Sequence, residues 1–153
     1  MATMSRTFNV SPPPPVVVGY LKDFAHAEQW NPGTCSCERI DRGPVAQGAY
    51  WHNVSKILGR TAELTYTLEE LTDRKVVFVG ENQTSTSIDT ITVDPAGAGS
   101  LITYEAEREM HGTAKLLGPL MKLAFERRAV DTEKQMTDVL NKLPCAQDGG
   151  ASR

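Results

Sequence analysis

Hydrophobic and polar positions follow two different periods along this chain, and the change between them divides it. From Lys115 to Leu143 the period is helical. Met121, Phe125, Thr132, Met136, Val139 and Leu143 recur at helical spacing, with Ala129 and Leu140 at the edge of the stripe, and Arg127, Asp131, Lys134 and Asp138 on the opposite face. At about 100° per residue this predicts an amphipathic helix of roughly seven turns. From Cys35 to Glu109 the period is two. It is cleanest over Arg60–Leu71, where Ala62, Leu64, Tyr66 and Leu68 alternate with Glu63, Thr65, Thr67 and Glu69, the pattern of a strand with one dry and one wet face.

Further strands are predicted at Ser5–Ser11, Cys35–Asp41, Tyr50–Ile57, Lys75–Glu81, Ser85–Val93 and Leu101–Glu109. Between the first two, Pro12–Pro15 cannot lie inside a strand, but the last of these prolines suits the first turn of a helix. Val16–Phe24 then reads as a short helix with Val17, Tyr20, Leu21 and Phe24 on one face, and Ala25–Trp30 as a second, ended by Asn31-Pro32-Gly33. Asp94–Gly99 reads as a turn with two glycines free to take positive φ. The expected fold is α+β of helix-grip type: a curved antiparallel sheet of about seven strands around a long C-terminal helix, with two short helices after the first strand. A bent sheet and a straight helix leave space between them, so an internal ligand cavity is expected. Residues 1–143 form one domain in this reading, and the small, polar segment 144–153 is a disordered tail.

Composition narrows the function classes. A net charge of −3 gives no basic footprint for nucleic acid. The longest apolar runs, Val16–Val18 and Val76–Val79, are far too short to span a membrane. Met1–Val10 has no apolar signal-peptide core, which points to the cytoplasm. The three cysteines are an odd number and fit reduced thiols.

The segment Pro13-Pro14-Pro15-Val16-Val17-Val18-Gly19-Tyr20-Leu21-Lys22-Asp23-Phe24, followed by Glu28-Gln29-Trp30-Asn31-Pro32, resembles the opening of START-like (SRPBCC) helix-grip proteins. Asp89–Val93, Gly97–Ser100 and Thr103–Glu107 look like the polyketide cyclase/dehydrase and lipid-transport branch. The resemblance covers all but the tail. It implies an apolar or aromatic small-molecule partner and no metal or other cofactor. The matching residues are structural, so it carries over no catalytic residue. The family holds carriers, aromatase-cyclases, chaperone activators and ring-hydroxylase subunits, and fold does not fix chemistry among them.

Cys35-x-Cys37 places two thiols on one strand face in this reading, but no further Cys or His completes a zinc set. His26, His52 and His111 are scattered, and no nucleophile elbow, phosphate loop or dinucleotide fingerprint is present. The candidates for a ligand cavity are Tyr20, Trp51, His52, Tyr66, Glu81 and Tyr104, with Leu120, Met121 and Phe125 from the long helix. Around Pro119 that helix is apolar nearly all round. Thr113–Phe125 is therefore expected to form a lip over the cavity mouth, a homodimer contact, or a surface covered by the loops of the sheet. Carriage of an apolar or aromatic molecule is the first functional expectation. A cofactor-free polyketide cyclase or dehydratase is the alternative, and it requires a titratable group inside the cavity.

Overall fold

The computed structural model describes residues 2–57, 59–112, 116 and 118–143. Residues 113–115, Leu117, the side chain of Met121 and the expected tail at 144–153 lie outside the described residues. The order is β1 (Ala2–Val10), α1 (Pro14–Leu21), a 3-10 turn (Phe24–His26), α2 (Ala27–Trp30), β2 (Thr34–Arg39), β3 (Tyr50–Ile57), β4 (Arg60–Leu71), β5 (Lys75–Glu81), β6 (Ser85–Ala96), β7 (Gly99–Met110) and α3 (Gly118–Asn141). The seven strands make one antiparallel sheet in the order β1-β7-β6-β5-β4-β3-β2. This is the α+β helix-grip fold that the two periods predict. No helix among the described residues is long and apolar enough to cross a membrane.

Period-two burial holds along the sheet, and its departures have local causes. β2 carries a register shift between Thr34 and Ser36. This bulge turns Cys35 out to solvent while Cys37 stays buried, so the two thiols do not share a face. Burial pushes the Cys37 thiol up to about 12, which leaves it protonated and inert. The β6–β7 pairing runs on to Ala96↔Gly99 and shortens the expected turn to Gly97-Ala98. Of its two glycines only Gly97 takes positive φ, at 60°. Gly99 is needed for close approach, since a Cβ there would lie 2.3 Å from the Val10 carbonyl oxygen. β1 begins at Ala2, earlier than expected, because the long β7 offers partners as far as Arg108.

Phe24 is the hub of the core. Its ring lies 4.4 Å from those of Tyr66 and Phe78, 6.0 Å from Trp30 and 6.3 Å from Trp51. α1 and α2 carry Val17, Leu21, Ala27 and Trp30, all fully buried, into the same core. Asp23 ties the layers together: its Oδ1 accepts from the Ala25 amide at 3.0 Å and from the Trp51 indole at 3.1 Å.

α3 starts at Gly118, so Pro119 sits in its first turn, where no backbone N–H is required, rather than interrupting a longer helix. Its buried stripe is Phe125, Ala129, Thr132, Met136 and Leu140, with Val139 only half buried. The stripe packs on β1 and α2. Burial of Met136 and Leu140 contributes roughly 1.5–3 kcal/mol each. Arg6 Nε donates to Glu133 Oε1 at 2.6 Å, and Gln135 Nε2 to the Gln29 carbonyl at 2.8 Å, fixing the helix along its length.

The two glycine environments predict opposite effects. Gly99→Ala is expected to destabilise the fold by about 2 kcal/mol, because a backbone carbonyl must move. Gly19→Ala, on α1 with nothing within 4 Å of its Cβ, is expected to stabilise by roughly 0.5–1 kcal/mol. Urea denaturation of the two variants beside the parent protein measures both signs.

Candidate functional site

The inward faces of β6 and β7 change character along their length. On β6 the buried positions run Ser85, Ser87, Asp89, Ile91 and Val93; on β7 they run Ile102, Tyr104, Ala106 and Arg108. The antiparallel register sets Ser87 opposite Arg108 and Asp89 opposite Ala106, so both strands are apolar at one end and polar at the other. At the polar end the sheet and α3 enclose a cavity of about 60 Å³, bounded among others by Asn53, Tyr66, Ser87, Asp89, Tyr104, Arg108, Phe125 and Arg128. This is room for a few water molecules or one small polar group.

Each polar wall has a structural cause. The Tyr66 ring lies over its cross-strand neighbour Gly80, where a Cβ would come within 2.6 Å of the ring carbons. Tyr104 Oη donates to Asp89 Oδ2 at 2.8 Å within the buried layer. Arg108 is 7% exposed, and its Nε has no hydrogen-bond partner. Arg128 reaches from α3 across the cavity edge and donates through Nη2 to the Lys56 carbonyl at 3.1 Å. It passes over Gly33, where a Cβ would meet its Nη1 at 1.8 Å.

The electrostatics follow from burial. Removal from water pushes the Asp89 carboxyl up to about 6, although the Tyr104 hydrogen bond and the nearby Arg108 charge pull it down. Burial, aided by the Asp89 charge, raises both Tyr66 and Tyr104, so both phenols remain neutral donors. Burial lowers Arg128, which still carries its charge at neutral pH. The cavity thus holds a carboxyl group that exchanges a proton near neutrality, two neutral phenols and two guanidinium groups.

Of the residues expected at a cavity, Tyr66, Tyr104 and Phe125 line this one. Five of the others lie elsewhere. Trp51 is fully buried in the filled aromatic core, edge-on to Phe24 and Phe78. His52 falls on the outer face of β3, its Nε2 2.8 Å from Glu63 Oε1. Glu81 is exposed, because on β5 the inward positions are Val76, Phe78 and Gly80. Tyr20 stacks on His26 at 4.1 Å, and its hydroxyl donates to Gln29. Leu120 is 54% exposed on α3, and the Met121 side chain lies outside the described residues. Sequence reasoning missed Asp89, Arg108 and Arg128. The signal for the first two was phase: Asp89 is in step with Ile91 and Val93, and Arg108 with Tyr104 and Ala106. No cluster of metal-binding side chains occurs among the described residues.

A seven-stranded curved antiparallel sheet gripping a long C-terminal helix defines a helix-grip protein of the START type. The chain belongs to the polyketide cyclase / dehydrase and lipid transport family, whose model matches residues 1–144. Its fold is similar to that of a START superfamily protein from Mycobacterium smegmatis, with a TM-score of 0.76 at 14% identity over 93% of this chain and 99% of that one. It is also similar to the Zhui aromatase/cyclase from a Streptomyces species, with a TM-score of 0.74 at 13% identity over 92% and 93% of the two chains. A protein from Thermus thermophilus gives 0.75 at 15% identity over 90% and 96%. A search of curated protein sequences finds no match.

The raised Asp89 carboxyl makes a stability prediction whose sign follows from linkage. Its folded-state value of about 6 lies above the ordinary 3.8, so the acid form favours folding. That contribution is complete below the ordinary value and is lost as pH rises through about 6. Asp89→Asn keeps an acceptor for Tyr104 and removes the buried charge. It is expected to be more stable than the parent protein by about 2–3 kcal/mol at pH 8, with the gap closing by pH 4. Thermal or urea unfolding across that range measures it.

Proposed function

We propose that this protein binds a small molecule with an apolar or aromatic body and a carbonyl, enol or phenol head. We further propose that it catalyses a cofactor-free proton transfer of the cyclase or dehydratase kind on that head. One observation carries the choice of catalysis over simple carriage. The cavity is lined by Asp89, Tyr104, Tyr66 and Arg108, and a carrier that needs only shape and dryness has no use for a buried carboxyl group poised near neutrality.

In this reading Asp89 takes a proton from the carbon beside a ketone and returns it to a departing hydroxyl, so that one group serves as base and then acid. The Tyr66 phenol is the donor that stabilises the enolate oxygen formed between the two steps, where exclusion of water strengthens the contact. Tyr104 holds the carboxyl in place through its hydrogen bond to Oδ2. The family membership supports this reading, as does the fold shared with an aromatase/cyclase. The exposed Leu120 and Leu123 on α3 support a homodimer through the start of that helix, and native mass spectrometry reads both the dimer and any molecule that co-purifies.

The proton-transfer reading is tested with a simple 1,3-diketone, 1-phenylbutane-1,3-dione, in deuterated water. The parent protein is expected to accelerate deuterium uptake at the central carbon. Asp89→Asn is expected to lose about 10²-fold or more of that acceleration, with binding of the diketone retained. Equal exchange rates in parent and variant, with binding intact in both, would leave carriage as the function.

A further inference from the structure

The charged groups lining the cavity do not balance. Arg108 and Arg128 line it with one acid, Asp89, in a chain whose net charge is −3. Arg108 is the more telling of the cations. It is more than nine-tenths buried, no carboxylate lies within ion-pair distance of it among the described residues, and its Nε has no hydrogen-bond partner. A guanidinium removed from water with a donor left open is costly unless something absent from the protein itself completes it. Its planar fork matches a planar, delocalised oxyanion best.

We infer that the molecule taken by this cavity carries a carboxylate, seated on the open donor of Arg108 and within reach of the Arg128 guanidinium at the cavity edge. This rests on the reading of the cavity as the substrate site and narrows its substrate class from carbonyl compounds in general to acids. The dimensions agree, since about 60 Å³ accommodates a carboxylate head but not a fused ring system. Asp89 does not oppose the guest. A second anion beside it favours its acid form, and the cavity then holds two cations, one guest anion and a neutral carboxyl group.

The test uses benzoate and its neutral counterpart benzamide, titrated by calorimetry at pH 7.5. Benzoate is expected to bind the parent protein about tenfold or more tightly than benzamide. Arg108→Gln is expected to abolish that preference. If that variant does not fold, Arg128→Gln, at the half-buried edge, is expected to reduce it. In the parent protein, the Arg108 Nε–H signal in ¹⁵N NMR is expected to move on addition of benzoate and to stay in place with benzamide. Equal affinity for the two compounds overturns the acid class and leaves the cavity reading standing. Failure of both to bind at millimolar concentration overturns the inference and the cavity reading together.

Discussion

The register of β6 against β7 is the constraint on which the rest of this structure depends. The two strands pair without a bulge from Ser85↔Met110 to Ala96↔Gly99. Because side chains alternate with a period of two, parity alone assigns every residue to the cavity side or to water. Slippage by one residue would send Asp89 or Tyr104 outward and bring the flanking threonines and glutamates into the core. The register is set far from the site. Gly97 supplies the positive φ of the two-residue turn, and Gly99 lets the end of β1 close over the hairpin. The Asp89–Tyr104 hydrogen bond is therefore positioned by glycines at the opposite end of the ladder.

The same ladder divides the interior into two chemically distinct halves. At one end Ile91, Val93 and Ile102 meet the aromatic cluster around Phe24, and the space is filled. At the other end Ser87, Asp89 and Arg108 meet α3, and the space is open. The filled half stabilises what the open half destabilises. A buried carboxyl raised toward neutrality and a guanidinium with an unmet donor each work against folding, and such costs concentrate at functional sites. The short helices α1 and α2 contribute their buried Val17, Leu21, Ala27 and Trp30 to this balance, and Trp30 packs edge-on to Tyr104 at 5.7 Å.

The sequence revealed the fold because each long element kept one period. It revealed the site only in part, for reasons particular to each residue. Tyr66 and Tyr104 stand on dry faces that parity identifies, and Phe125 on a helical stripe. Trp51 is inward as well, but which end of the interior is filled depends on where Phe24 packs, and no local pattern carries that information. His52 and Glu81 were candidates because they neighbour Trp51 and a valine run in the chain. Adjacent residues of a strand point to opposite sides, so that proximity worked against them. Asp89 and Arg108 occupy inward positions with polar side chains, and a polar residue in an apolar phase reads as a fault in the pattern rather than as part of a site. Arg128 lies beside the buried stripe of α3, and only the approach of Gly33 and the Lys56 carbonyl gives it a role.

That approach also explains how a cavity of modest volume can serve a molecule with a larger body. Arg128 borders two spaces: the polar cavity, and a shallow surface ledge formed on α3 with Leu120, Leu123, Ala124 and Arg127. Its guanidinium is held by one carbonyl hydrogen bond and by the room that Gly33 leaves. It is also the far end of a flexible side chain, which moves at little cost compared with sheet or helix backbone. In the proposed reading, a guest with its head on Arg108 has room for its apolar body against Leu120 and Leu123, on the far side of Arg128. The surplus of apolar surface at the start of the long helix and the surplus of positive charge inside the cavity then both suit an amphipathic guest, which competes with a homodimer for Leu120 and Leu123.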